Sequence, residues 1–427
     1  MDSQREHTQS YYRASVKGLK NRPPLEEAIS ADVCIVGGGF SGVATALELA
    51  EKGLNVVLLE ARRIGWGASG RNGGQLVRGL GHDLQRFTHQ LGQDGVAALD
   101  AMGFEAIDIV RERVERYQID CDLKWGYCDL ADKPRHIREL EAEYQALKDK
   151  AYRHSITLLD KDALQAHVGS DKYLGGMLDM GSGHLQPLNL CLAEAALAEQ
   201  NGARLFELSE VISLSGNGPY RVKTLTGSVK ADKLVLCGNG YMGMLEPRIG
   251  AKVLPAGSYL LATAPLPKAL WQQILPSDVA ACDLNIALDY FRLSADKRLI
   301  FGGMCNYSGR DPKDIRAAMV PKMLKVFPAL KGVNIDYAWA GMLGIGANRL
   351  PQIGELTPGF FYAQAYSGHG INASHLAARV IGEAISGKRD RFTLFNQINH
   401  RNFPGGPWLR PWLLATGMLY HRFKELL

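Results

Sequence analysis

The sequence has no stretch of about 18 uninterrupted apolar residues, so no membrane-spanning helix is expected. Its seven cysteines include no C-x-x-C pair. That removes the common zinc and dithiol patterns, and several lie in apolar runs, as free buried thiols in a reducing cytoplasm would. Charge of one sign is also lacking. The 49 basic and 44 acidic residues leave a net +5 with the basic positions dispersed, which excludes nucleic acid as an expected partner. The first 20 residues show neither an apolar core nor a small-residue cleavage pattern, so no secretory signal is expected. No internal repeat is present. At roughly 150 residues per domain, the 427-residue chain suits two or three domains. Glycine, in contrast, is abundant: 47 residues, above the average of about 7%, point to many backbone positions with positive φ or close approach.

Residues 1–30 are polar, contain Pro23-Pro24, and read as an arm leading into the first domain. From Ala31 the apolar run Val33-Cys34-Ile35-Val36 suits a strand buried on both faces of a parallel sheet. A helix over Ser41 to Lys52 and a strand over Asn55 to Leu59 complete a βαβ unit. Ile107, Val110, Val114 and Tyr117 mark one amphipathic helix, and Ile137, Leu140, Tyr144, Leu147 and Ala151 another. The mixed-charge run Arg111 to Arg116 reads as the solvated face of the first. Short strands are expected over Leu205 to Leu236. A strand-rich region follows over 255–340, around a helix at 312–327. A last strand, Phe360 to Ala365, leads through Tyr366-Ser367-Gly368-His369-Gly370 into a helix ending near Gly387. Nucleotide-type elements therefore occur at both ends, and a second domain must be built from insertions.

Gly37-Gly38-Gly39-Phe40-Ser41-Gly42 contains G-x-G-x-x-G between a predicted strand and a predicted helix. Gly37 permits the tight turn, Gly39 lets backbone approach a pyrophosphate, and Gly42 lets helix and strand pack closely. Glu60 follows Gly39 by 21 residues at the end of the second strand, where a carboxylate accepts from ribose hydroxyls; it favours NAD or FAD over NADP. The glycine-rich stretch Arg62 to Gln75 suits backbone wrapped on a planar ligand, with Ser69 and Asn72 as polar contacts. Its segment Gly67-Ala68-Ser69-Gly70-Arg71 is not a nucleophile elbow, because Arg71 stands where glycine is required. Ser367-Gly368-His369-Gly370 opens a helix whose positive N-terminus suits an anionic ring edge, with His369 either a base or a structural imidazole. No metal site is expected, since His369 and His375 are six apart and no carboxylate joins them in the sequence.

The combination of GGGFSG, Glu60, GWGASGRNGGQ, Trp339-Ala340-Gly341 and SGHG resembles the D-amino-acid oxidase superfamily of FAD-dependent amine oxidoreductases. Within it, the chain most resembles the bacterial γ-glutamylputrescine oxidoreductases, including at Gly183 to Asn189, over Ser10 to about Arg410. The resemblance implies an α/β fold: a Rossmann-type FAD-binding domain (31–95, 150–250 and 336–427) interleaved with an α+β substrate domain (96–149 and 251–335) on a mostly antiparallel sheet. It implies extended FAD at Gly37, Gly39, Phe40, Ser41, Gly42, Glu60, Ala61 and Arg62. Gly67, Ala68, Ser69, Asn72, Gly73 and Gln75 would follow on the ring side with Gly368, His369 and Gly370, Gly341 would also touch the cofactor, and Val211 and Gly238 would line the adenine and dinucleotide cleft. Two departures matter. Asn372 stands where sarcosine oxidase relatives carry a carboxylate-binding lysine, and Met342 to Gly346 holds no cysteine to tether the flavin, so FAD is expected to be non-covalent.

The implied reaction is amine oxidation by hydride transfer to flavin N5, with the imine hydrolysing to an aldehyde and ammonia, and oxygen or another acceptor reoxidising the flavin. No dedicated acid or base is needed. Arg78 is a candidate for the substrate carboxylate, and Tyr259 and Tyr366 for walls of the amine site. A sarcosine-like substrate, an NAD-dependent dehydrogenase, and a flavin-binding regulatory protein without turnover are the alternatives. The apolar segment Trp408 to Leu414 is expected to dock on the protein or on a homodimer partner.

Overall fold

The computed structural model describes residues 5–81, 83–285, 288–306 and 311–404; the Trp408 to Leu414 segment lies outside them. In chain order the strands are β1 (Ala28–Val36), β2 (Val56–Leu59), β3 (Gln75–Leu76), β4 (Lys124–Ala131), β5 (Ile156–Asp160), β6 (Gly175–His184), β7 (Arg204–Phe206), β8 (Ser213–Ser215), β9 (Tyr220–Lys223) and β10 (Ser228–Leu236). They continue as β11 (Val253–Thr263), β12 (Ala280–Asp283), β13 (Tyr290–Leu293), β14 (Leu299–Asn306), β15 (Ile335–Gly346), β16 (Gln352–Thr357) and β17 (Phe360–Gln364).

Two sheets result. The first runs β16-β17-β10-β1-β2-β7, with β9 and β8 appended to β10. Its strands β17, β10, β1, β2 and β7 are parallel. The chain leaves β1 toward β2 and β7 on one side and returns as β10 and β17 on the other, which creates a switch point between β1 and β10. Val33 and Ile35 bury one face of β1 under helices while Cys34 buries the other, hence its unbroken apolar run. The second sheet, β15-β11-β14-β13-β12-β4-β6-β3 with β5 on β6, is antiparallel except for the β4–β12 pair. Its outer face packs on the helix Ile315–Val326 through Tyr259, Phe291 and Phe301. Its inner face contributes Leu260, Ile300 and Trp339 to the large core shared with the first layer.

Three features differ from the sequence reading. The strands at 156–184 hydrogen-bond in the second sheet, whereas the sequence places 150–250 in the first domain, because β6 pairs with β4 across an insertion. The first strand starts earlier than Ala31: β1 begins at Ala28, inside the arm, which packs on the fold with Tyr12 fully buried and its ring edge-on to Trp339 at 5.3 Å. The charged run of the helix Thr88–Arg116 is not wholly solvated either. Arg113 is buried, its Nη1 donating to Glu194 at 2.9 Å and its Nη2 to Glu48 at 2.7 Å.

Candidate active site

Every motif singled out above from the first sheet lies at the carboxyl end of one of its parallel strands, where open α/β sheets bind ligands. Gly37 follows β1, Glu60 follows β2, Gly238 follows β10, and Ser367-Gly368-His369-Gly370 follows β17. The strands are buried, but Gly37, Gly39, Glu60, Gly238, His369 and Gly370 at their carboxyl ends are half-exposed.

The glycines are fixed by contact. Gly37 has φ +109°, and a Cβ there would come within 2.7 Å of the Cys237 carbonyl oxygen; a Cβ on Gly42 would come within 1.8 Å of the Gly37 oxygen. Ser69 closes over the helix Phe40–Ala50, accepting from the Phe40 N–H at 2.8 Å and leaving only 2.9 Å for a Cβ at Gly39. Glu60 braces the same turn: its Oε2 accepts from the Gly38 N–H at 2.6 Å and its Oε1 from the Arg62 N–H at 2.8 Å. Burial raises the Glu60 pKa against the opposing pull of those two N–H groups. Each oxygen keeps acceptor capacity for a ribose hydroxyl.

The loop after β2 turns toward the second sheet. Asn72 holds it, its Nδ2 donating to the Ala68 and Ser69 carbonyls while its Oδ1 accepts from the Gly74 N–H; the side chain expected to touch ligand shapes the turn instead. Gly67 lies under the Tyr241 ring and Gly73 under the Tyr290 ring, where a Cβ would meet them at 3.2 and 2.6 Å. Gln75 donates to the Ala281 and Phe291 carbonyls at 3.0 and 3.3 Å, joining β3 to β12 and β13. Gly341 lies on β15 against Arg71, and Trp339 Nε1 donates to the Arg71 carbonyl at 2.9 Å. The SGHG turn is tied down by Ser367, whose N–H donates to the Gly344 carbonyl at 3.0 Å and whose Oγ accepts from the Gly346 N–H at 3.1 Å. His369 caps the helix Gly370–Ile385. Val211 is half-buried against the apolar cluster below the first sheet, and Ala61 is exposed beside Arg62.

Other candidates fall elsewhere. Arg78 donates to Asp179 at 3.0 Å and Asp129 at 3.2 Å, with Glu143 at 3.5 Å, so its terminal nitrogens are engaged by acids of this chain. Tyr259 lies in the outer core and its hydroxyl donates to Asp311 at 3.0 Å. Tyr366 is buried, its hydroxyl 2.6 Å from Ser41 Oγ, and links the SGHG turn to the glycine helix. Asn372 donates to the Gly79 carbonyl at 2.8 Å. Sequence reasoning missed Asn239, whose Oδ1 accepts from the Ala365 N–H at 2.9 Å, and Tyr241 and Tyr290, whose rings cover the loop glycines. Only the glycines opposite those rings carried a signal.

A tight strand-to-helix turn, a helix N-terminus and a braced carboxylate fit the adenosine diphosphate half of a dinucleotide, and the glycine loop between two sheets fits its ring. A family model described as FAD dependent oxidoreductase (DAO) matches residues 32–384. The chain belongs to this family. The oxidoreductase is 42% identical over 423 residues to "Gamma-glutamylputrescine oxidoreductase" of Escherichia coli (strain K12), covering 99% of each chain. It is 40% identical over 426 residues to "Probable oxidoreductase OrdL" of Haemophilus influenzae, covering 98% of each. Glycine oxidase from Geobacillus kaustophilus shares the fold at TM-score 0.74 and 21% identity, over 87% of this chain and 100% of that one. The cofactor of the oxidoreductase is FAD, and the NAD-dependent and turnover-free alternatives fall away. Among the described residues no helix is long and apolar enough to cross a membrane.

Glu60→Ala is expected to weaken FAD binding by about 10- to 100-fold, because the Gly38 and Arg62 N–H groups that brace the glycine turn lose their acceptor. Fluorescence titration of the deflavinated protein with FAD measures it.

Proposed function

We propose that the protein oxidises γ-glutamylputrescine to γ-glutamyl-aminobutyraldehyde in polyamine catabolism, in the cytoplasm and with non-covalent FAD. The observation that carries this reading is the end-to-end 42% identity with a protein of that activity's name. FAD, which Gly37, Gly39, Gly42, Glu60, Gly67 and Gly73 would hold, would supply the two-electron acceptor. The chain's own residues orient and shield. Tyr290 and Ser258 place hydroxyls 3.3 Å apart beside Gly73, and burial raises the Tyr290 pKa well above its usual value, so that hydroxyl stays neutral. Neutral hydroxyls hold a free-base amine without trapping a proton on it. The N-terminal arm helps exclude water, because the Glu6 carbonyl accepts from Trp66 Nε1 at 2.8 Å and the Glu6 carboxylate pairs with Arg63 at 2.6 Å.

Anaerobic addition of γ-glutamylputrescine is expected to bleach the visible flavin band at least about 10-fold faster than putrescine or sarcosine at equal concentration. Faster bleaching by sarcosine would reassign the substrate to a small secondary amino acid.

A further inference from the structure

The specificity problem posed by a γ-glutamylated amine is its acyl end, which carries a carboxylate absent from putrescine. Arg78 is engaged by Asp129, Asp179 and Glu143. Arg292, also near the loop, donates to the Gly73 and Leu293 carbonyls and to the Tyr12 hydroxyl. Arg71 differs from both. Its Nε donates to the Trp66 carbonyl at 2.8 Å, its guanidinium lies 4.2 Å over the Trp66 ring, and its Nη1 reaches the Ala340 carbonyl only at 3.5 Å. Among the described residues Arg71 has no ion pair and no hydrogen bond from its Nη2.

Arg71 also stands at the junction of the two layers. It packs against Gly341, which pairs across the sheet with Ser258. The Ser258 hydroxyl meets that of Tyr290, and the Tyr290 ring lies on Gly73, two residues from Arg71. These contacts form a closed circuit that ties Arg71 to the neutral hydroxyls of Ser258 and Tyr290. Burial, with a smaller contribution from Arg62, depresses the Arg71 pKa against the opposing pulls of Tyr241 and Asp311, so an incoming anion would relieve an existing desolvation penalty.

Resting on the substrate reading above, we propose that Arg71, pinned on Trp66 at the seam with β15, is the specificity residue that receives the free carboxylate of the acylated amine. The planar fork favours a carboxylate, and its fixed Nε leaves the terminal nitrogens aimed.

The test compares wild type, Arg71→Met and Arg71→Lys on γ-glutamylputrescine and on N-acetylputrescine, which shares the amide and amine but lacks the carboxylate and the α-ammonium beside it; an arginine responds to the loss of the carboxylate. Arg71→Met is expected to lower kcat/KM for the first about 100-fold, through KM, with a loss at least 10-fold smaller on the second; Arg71→Lys recovers part of it. FAD content stays at the wild-type ratio. Glutarate, an unreactive anion, is expected to perturb the flavin spectrum of wild type and not of Arg71→Met. Equal losses on both amines, loss of FAD, or a glutarate response that survives in Arg71→Met would overturn the proposal. Failure of γ-glutamylputrescine to reduce wild-type flavin would overturn the substrate reading alone, because the glutarate titration decides on Arg71 without turnover.

Discussion

Gly42→Ala protein is expected to purify colourless and to stay so when FAD is supplied. The new Cβ would sit 1.8 Å from the Gly37 carbonyl oxygen and 3.0 Å from its carbon. Restoring van der Waals distance requires the turn to move by more than about 1 Å. A shift of that size withdraws the N–H groups at the start of the helix Phe40–Ala50 from the pyrophosphate, and an FAD affinity loss of at least about 100-fold follows. Overpacking also destabilises the fold, by about 1–3 kcal/mol, so flavin content and a melting curve are measured together. Gly382→Ala is the control. That position lies inside the helix Gly370–Ile385, its Cβ would meet the flexible end of Lys52 at 3.2 Å and Glu48 Cβ at an ordinary 3.5 Å, and alanine there gains about 0.5–1 kcal/mol of helix stability. A yellow Gly42→Ala protein with wild-type affinity would remove the glycine turn from the cofactor site.

The cofactor half of the site was legible because its determinants are short-range. Gly37, Gly39, Gly42 and Glu60 lie within 24 residues, and the chemistry of one turn fixes their spacing. The substrate half depends on contacts that periodicity does not encode. Arg78 read as a free cation because the acids that engage it come from β4, β6 and the helix Pro134–Asp149. Tyr259 read as a wall of the site because a strand's two faces look alike until its register is known; pairing with β15 and β14 turns Ser258 inward and Tyr259 into the outer core. Tyr290 carried no signal of its own. Its ring occupies space left by Gly73 and by Gly302 on the neighbouring strand, two glycines whose meaning appears only when β13 and β14 are paired. The same limit hid the second-sheet membership of β5 and β6, whose partner β4 lies across a helix.

Arg113→Leu is expected to destabilise the folded protein by about 3 kcal/mol at neutral pH, near the low end for breaking a buried pair, because each carboxylate retains another partner. Glu194 keeps His375, whose Nε2 lies 2.9 Å away, and Glu48 keeps Arg379 at 3.3 Å. Burial pushes the Glu194 carboxyl up, but His375 and Arg113 outweigh it and hold its pKa below the usual value; Glu48 is lowered likewise, by Arg113 and Arg379. The sign follows from the depressed folded pKa. The wild-type contribution is fully present above the unfolded carboxyl pKa of about 4.3 and is lost as pH falls through the lower folded values. Without Arg113 the burial effect dominates and the two pKa values rise, so the variant is penalised most when both acids are ionised. Denaturant melts from pH 8 to pH 5 are therefore expected to show the difference between wild type and Arg113→Leu shrinking as pH falls. A gap that stays constant over that range would mean that leucine disturbs packing and that the ion pairs contribute little. The network joins the helices Phe40–Ala50, Thr88–Arg116, Pro187–Gln200 and Gly370–Ile385, two of which begin at the cofactor turns. Loss of stability in the variant is accordingly expected to be accompanied by release of FAD before global unfolding, seen as a rise in free-flavin fluorescence below the melting midpoint.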